Sequence, residues 1–174
     1  MKTALRFASL ALVAALAVPA LRAAPAAPVS VVFDHPEKFV DVRDTWSDHD
    51  NERGIERYLP PLREHLEKVA ARRLPAGQQL TITFTDLDLA GDFEPWRGIQ
   101  FQDVRVVKEL YIPRMTFQYK VTDASGAVVK SGERKLLDMG FQMRITSAFR
   151  DDPLRYEKAM LDDWLGQEFP AQKS

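Results

Sequence analysis

Apolar residues along this chain form short runs or alternate with polar residues, and this pattern predicts β-strands in several places. The turn sequence Asp123-Ala124-Ser125-Gly126 separates two of these stretches and predicts a hairpin. A further stretch, 141–145, is a candidate for one more strand. The main predicted strands are 29–33, 80–84, 103–110, 115–122 and 127–135.

Two other stretches carry apolar residues at spacings of three and four, which predicts amphipathic helices. The first covers 55–70, and Pro60-Pro61 inside it predicts a kink or two abutting helices. The second begins at Asp152-Pro153, an acidic cap followed by a proline at the first helical position. The order β-α-β-β-β-β-α predicts an α+β fold, with a largely antiparallel sheet of four to five strands and two helices packed on one face.

The first 26 residues have the pattern of a secretory signal peptide. Lys2 and Arg6 precede an apolar run over 7–21, and the small residues 23–26 suit a cleavage site. The run has about 15 residues, fewer than the roughly 20 that a membrane-spanning helix needs. We therefore expect residues 1–26 to be cleaved and residues 27–174 to form one globular domain in the periplasm or outside the cell, without a membrane anchor.

The composition narrows the class of partner. The chain has no cysteine, which excludes a lipoprotein acylated on cysteine and a disulfide scaffold. Loss of Lys2, Arg6 and Arg22 would change the formal net charge from −1 to −4. A mildly acidic protein is a poor match for nucleic acid or for an anionic membrane surface, because both attract lysine and arginine.

The usual catalytic and cofactor motifs are missing from the sequence. There is no cysteine nucleophile, no Gly-x-Ser-x-Gly, no His-Glu-x-x-His and no phosphate-binding glycine loop. His49 lies between Asp48 and Asp50, a group that we interpret as a polar surface loop rather than a metal site. His65 falls off the apolar helix face and is predicted to be solvated. The sequence therefore predicts no catalytic residue and no bound organic cofactor.

The stretch 85–97 is the most unusual in the chain. If the strand containing Phe84 continued unbroken, Asp86 and Asp88 would point into the core and Leu87 and Leu89 would point outward. Burial of two unpaired carboxylates is costly. Either a bulge near Thr85 reverses the alternation, or the two aspartates share a cation or a basic partner.

Comparison of residues 86–97 with the calcium-binding loop of an EF-hand shows which kind of cation site these acids could form. Asp86, Asp88 and Asp92 match three ligand positions of an EF-hand, but Ala90 and Arg97 stand where two other ligands belong. The mismatch excludes an EF-hand and leaves a looser Ca²⁺ or Mg²⁺ site at Asp86, Asp88 and Asp92. The alternative partners for these acids are Arg97, Arg105 and Lys108.

Six short motifs occur in order along the chain. They are Val29-Ser30-Val31-Val32-Phe33, Pro36-Glu37-Lys38-Phe39, Leu74-Pro75-Ala76-Gly77-Gln78-Gln79-Leu80, Thr85-Asp86-Leu87-Asp88-Leu89-Ala90-Gly91, Arg155-Tyr156-Glu157-Lys158 and Leu161-Asp162-Asp163-Trp164. In this order they resemble an uncharacterised family of small exported proteins of Gram-negative bacteria, the Domain of Unknown Function 3016 family. The resemblance covers essentially the whole chain after the signal peptide. It implies an exported single domain and implies no activity, ligand or catalytic residue.

Three functional hypotheses remain at this point. The first is a non-enzymatic periplasmic binding or accessory protein of the cell envelope, whose partner is an unknown envelope protein or ligand. The second is a hydrolase that uses Asp86, Asp88 and Asp92 with a divalent metal. The third is a structural domain stabilised by a cation at the same residues. Trp46 and Trp96 lie in predicted loops, where each either stacks on a ligand or folds back over the edge of the core.

Overall fold

Six strands and two α-helices form the architecture in a computed structural model that describes residues 27–144 and 151–170. The predicted signal peptide, residues 1–26, lies outside the described residues and stays a prediction. The strands are β1 Val29–Phe33, β2 Gln79–Asp88, β3 Asp92–Phe93, β4 Arg105–Val106, β5 Arg114–Thr122 and β6 Val128–Leu137, and the helices are α1 Glu52–Ala71 and α2 Arg155–Glu168.

The main sheet has four strands in the order β1-β2-β5-β6, and β3 pairs with β4 in a separate two-stranded ribbon. The α+β prediction is confirmed, but the sheet is mixed, because β1 and β2 are parallel while the other neighbours are antiparallel. Helix α1 connects β1 to β2 and returns the chain to the end where β1 began, which makes a parallel pair.

Two predicted strands differ from the structure. The stretch 103–110 contributes only the two residues of β4, and residues 141–143 form a short 3₁₀ turn. Residue 145, the end of that second stretch, lies outside the described residues. Both stretches are rich in apolar residues, and a short apolar run does not by itself specify an extended backbone.

The core lies between the two helices and one face of the sheet. Phe84 and Phe117 from the inner face belong to the same buried cluster as Leu62 of α1 and Leu161 of α2. Trp164 of α2 packs edge-on against Phe117, with ring centroids 4.6 Å apart. The opposite face carries Thr81, Thr83, Gln118 and Lys120, none of which is buried. Both helices therefore cover the same face, as predicted.

Helix α1 is continuous through Pro60 and Pro61, so the alternative of two abutting helices is wrong, while the predicted kink stays a prediction. Both prolines are exposed, so the carbonyls of residues 56 and 57 that lose their amide donors face water. His65 is not solvated as predicted, because its Nε2 lies 2.7 Å from Asp162 Oδ1 of α2. No helix in the described part of the chain is long and apolar enough to cross a membrane.

The start of α1 fixes the loop that precedes it. Asn51, in the left-handed region at φ 60°, accepts a hydrogen bond from the Val42 amide and donates one to the Phe39 carbonyl. Asp48 accepts from the amides of Arg53 and Gly54 at 3.1 and 3.0 Å, so it caps the first turn and is buried rather than part of a polar surface loop. A Cβ on Gly54 would lie 1.5 Å from the Val42 carbonyl oxygen.

Glu168, at the end of α2, should make the stability of the protein depend on pH in the acid range. Burial alone would raise its pKa, but hydrogen bonds from Lys130, Tyr119 and Arg134 outweigh burial and lower the pKa to about 2. A pKa lowered on folding contributes stability that is complete above the ordinary value of 4.5 and is lost as the pH falls towards 2. We expect Glu168→Gln to lower the free energy of unfolding by about 2–3 kcal/mol at pH 7.

The difference between Glu168→Gln and the parent should shrink steadily from pH 4.5 towards pH 2. Urea unfolding across that range measures it. Glu56→Gln, on the exposed face of α1, is the control and should change stability by less than about 0.5 kcal/mol. A constant difference across the whole pH range would contradict the proposed ion pair.

Candidate functional site

A cleft of about 320 Å³ opens where β2 ends and β5 begins. One side is the loop that follows β1, and the other is the segment that leads into β5. The cleft combines acids and arginines with apolar side chains. Its lining residues are Val40, Asp41, Arg43, Asp88, Gly91, Asp92, Leu110, Tyr111, Ile112, Arg114 and Leu137.

A β-bulge in β2 brings Asp88 to this cleft. The register between β2 and β5 shifts between Phe84 and Asp86, so that Thr85 is the additional residue. Leu87 and Leu89 are consequently buried in the core. The bulge that the sequence offered as one of two alternatives is confirmed, and the adjacent aspartates lie on the other side of the strand.

Asp41 is the buried centre of the site. Its segment pairs with the end of β2, since the Asp41 amide donates to the Leu87 carbonyl and its carbonyl accepts from the Leu89 amide. The carboxylate accepts from Arg43 Nε at 3.0 Å and Nη2 at 3.1 Å, and from Arg105 Nη1 at 3.2 Å and Nη2 at 3.1 Å. Burial would raise the pKa of Asp41, but the two guanidiniums lower it below its usual value. Asp41 is therefore ionised.

Arg105 extends this contact to the backbone around it. Its guanidinium donates to the Gly91 carbonyl at 2.8 Å and to the Arg43 carbonyl at 2.6 Å, and it lies over the Phe93 ring at 4.8 Å. Gly91 has φ 89°, and a Cβ there would come within 2.9 Å of the Val106 carbonyl oxygen. The Arg105 side chain thus ties the β3–β4 ribbon to the loop after β1.

A buried glutamate of α2 binds the backbone next to Gly91. Glu157 Oε1 accepts a hydrogen bond from the Ala90 amide at 2.7 Å, while its Oε2 has no hydrogen-bond partner among the described residues. Burial raises the pKa of Glu157. Glu157 fixes the backbone at Ala90, next to Gly91 in the lining of the cleft.

A second ion pair joins the neighbouring strands at the mouth of the cleft. Asp88 lies directly across from Arg114 in the β2–β5 register, and its Oδ2 accepts from the arginine's Nε at 3.0 Å and from its Nη2. Burial raises the pKa of Asp88, and the facing Arg114 only partly offsets that effect. The guanidinium itself is 58% exposed, so one side of this pair faces the cleft opening.

The three aspartates of the predicted cation site have separate partners. Asp86 Oδ1 accepts from the Val40 amide at 3.0 Å, Asp88 pairs with Arg114, and Asp92 Oδ1 accepts from Arg43 Nη2 at 2.9 Å. Within residues 27–144 and 151–170, no three His, Cys, Asp or Glu side chains are grouped so that they could hold a metal ion. The Ca²⁺ or Mg²⁺ site at these residues stays a prediction.

The basic partners proposed from the sequence lie elsewhere than expected. Arg97 and Lys108 both contact Glu94, a buried carboxylate that also accepts from the Tyr111 hydroxyl at 2.8 Å. The hydrogen bond from Lys108 and the nearby positive charges lower the pKa of Glu94. This group fixes the 94–111 loop beside the cleft, and of the three predicted cations only Arg105 reaches the site.

Apolar side chains form the rim of the cleft. Val40, Leu110 and Leu137 are 58%, 77% and 54% exposed and all line the opening. Trp96 is 71% exposed and does not fold back over the core. Trp46 is 44% exposed, and the Arg43 guanidinium carbon lies 5.8 Å from the centroid of its ring.

Sequence reasoning missed Asp41, Arg43 and Arg114. The pairing of Arg114 with Asp88 was within reach of the sequence. A bulge in β2, taken together with the alternation along β5, places the two residues opposite each other. Asp41 and Arg105 are 64 positions apart, and no local pattern connects them.

Comparison with known proteins gives one match. The family model described as "Protein of unknown function (DUF3016)" matches residues 27–167. A search of curated proteins finds no match, and neither does a search of solved structures. The family match covers both the core and the cleft.

Asp41 should be the side chain on which the site depends for stability. We expect Asp41→Asn to lower the free energy of unfolding by about 2–4 kcal/mol, because it leaves two arginines without their buried anion. Urea unfolding measures the change. Asp103→Asn makes the same chemical change at an exposed position of the neighbouring loop and should cost less than about 0.5 kcal/mol. Equal effects for the two variants would refute the role given to Asp41.

The arginine contacts also predict how the protein responds to metals. With Asp88 and Asp92 neutralised by guanidiniums, Ca²⁺, Mg²⁺ and a chelator should all leave the thermal midpoint unchanged. Thermal melting monitored by circular dichroism in the three conditions gives the answer. An increase with either ion that the chelator reverses, and that Asp88→Asn abolishes, would instead support the predicted cation site.

Proposed function

Because the chain belongs to the DUF3016 family, whose function is unknown, we propose a function from the cleft itself: a non-enzymatic binding or accessory protein of the cell envelope. The binding region is the cleft between the loop after β1 and the segment 110–114. Its occupant is an envelope protein or ligand. This occupant enters between the apolar rim and the floor of the cleft, which is formed by the ion-paired lining residues Asp41, Arg43, Asp88, Asp92 and Arg114.

The support for binding rather than turnover is the pairing of charges in the cleft. Asp41, Asp88 and Asp92 each accept hydrogen bonds from an arginine, so none of them is placed as an unpaired general base or as an open metal ligand. A set of fixed donors and acceptors beside exposed leucines suits recognition, where preorganised polar groups give orientation and apolar contact gives affinity.

The support for an envelope location is the sequence of residues 1–26. Two basic residues, an apolar run and a small-residue cleavage site form an export signal. The absence of cysteine fits a soluble form that is not anchored through a lipidated cysteine.

Site-specific photo-crosslinking in intact Gram-negative cells tests both parts of this proposal. A photoreactive amino acid is introduced at Leu110 or Leu137, on the rim, and at Glu56, on the exposed face of α1, as the control. We expect the rim positions to give adducts of one or a few defined sizes in the periplasmic fraction and the control position to give none.

The same cells provide the result that would overturn the proposal. A full-length protein retained in the cytoplasmic fraction would remove the envelope location. Identical adduct patterns from the rim and from α1 would remove the cleft as the binding region.

A further inference from the structure

We propose that the cleft binds a polypeptide segment in extended conformation whose occupying part is uncharged and carries aliphatic side chains. This inference rests on the proposed function, since it names the class of partner for the same cleft. Three observations carry it: the charge balance of the floor, the presence of both hydrogen-bond donors and acceptors there, and the exposed apolar rim.

The floor has no net charge. The lining contains three aspartates and two arginines, and Arg105, directly behind them on Asp41, supplies the third positive charge. A phosphate, a carboxylate or a metal ion would add an uncompensated charge to this balanced set in a partly buried place, which is costly. A neutral ligand meets no such cost.

The floor nevertheless presents both kinds of hydrogen-bonding group. Arg114 and Arg43 offer N–H donors on one side, and Asp88 and Asp92 offer carboxylate oxygens beside them. A peptide unit has one N–H donor and one C=O acceptor and carries no charge. A backbone crossing this floor can satisfy donors and acceptors in turn without displacing either ion pair.

The rim selects a polypeptide over a saccharide. Leu110 and Leu137 are 77% and 54% exposed, and covering them gains free energy only if the ligand brings apolar surface of its own. Sugar rings stack best on open aromatic faces, but Tyr111, the one aromatic among the described lining residues, is partly covered and is held by Glu94 through its hydroxyl. Aliphatic side chains along an extended peptide fit Val40, Leu110 and Leu137 directly.

The probe for the test is the capped neutral peptide acetyl-Gly-Leu-Ser-Val-Gly-amide, titrated into the full mature domain and followed by ¹H–¹⁵N correlation spectra. We expect shifts confined to residues 40–43, 88–92, 110–114 and 137. Because the floor is neutral, an approximately tenfold increase in salt should change the affinity by less than about twofold. Replacing the serine of the probe with glutamate or lysine should weaken binding.

Matched variants on the rim and away from it locate the contact. Leu110→Ser should weaken binding of the neutral peptide by about fivefold, as expected for losing part of one aliphatic contact. Ile99→Ser changes a similarly exposed aliphatic residue outside the cleft and should leave the affinity unchanged within about twofold. Both side chains are surface residues, so thermal midpoints equal to that of the parent will show that both variants are folded.

Three outcomes would overturn the inference. They are tighter binding of a charged probe with strong salt dependence, binding of tri-N-acetylchitotriose in place of the peptide, and no shift with the neutral peptide. Any of these leaves the proposed function to be judged by the crosslinking at Leu110 and Leu137, which does not depend on the class of partner.

Discussion

The carboxylate of Asp41 is buried, and its loss of hydration costs several kcal/mol unless cations and hydrogen bonds offset that cost. Arg43 and Arg105 both bind it, and Arg105 also binds the carbonyls of Gly91 and Arg43. Three segments distant in sequence are consequently held at fixed positions by one ion-pair network. On the other side of the same loop, Asn51 at the start of α1 holds the backbone of residues 39 and 42. The cleft is shaped by these polar contacts, while the apolar core lies on the other side of β2.

The bulge at Thr85 allows β2 to serve both the core and the cleft. An unbroken strand would direct Asp86 and Asp88 inward and expose two leucines, which is unfavourable on both counts. One additional residue reverses the alternation, so that Leu87 and Leu89 pack inside and Asp88 faces Arg114. The same residue therefore resolves the conflict in the sequence and creates one edge of the cleft.

The sequence predicts those parts of the fold whose pattern is local. The alternation over 115–122 and the helical spacing over 55–70 each specify an element without reference to the rest of the chain. The Asp152-Pro153 signal indicates that a helix follows but sets its start too early, because α2 begins at Arg155 and its N-cap is Leu154. The parallel pairing of β1 with β2 could not be predicted, since alternation says nothing about the direction of a neighbour. The Asp41–Arg105 contact could not be predicted either, because no local pattern connects residues 64 positions apart. His65 was predicted to be solvated because the amphipathic pattern of α1 does not reveal that α2 packs beside it.

Aspartates 86, 88 and 92 show how the same residues suit different chemistry in different surroundings. A divalent ion bound to them would compete with Arg114 for the Asp88 carboxylate and with Arg43 for the Asp92 carboxylate. Arg43 also holds Asp41, so its displacement would weaken the network that fixes the loop after β1. Cation binding would therefore act against the contact that shapes the cleft, whereas a neutral ligand leaves every ion pair in place. This difference favours recognition of an uncharged partner over metal-dependent chemistry at these three aspartates.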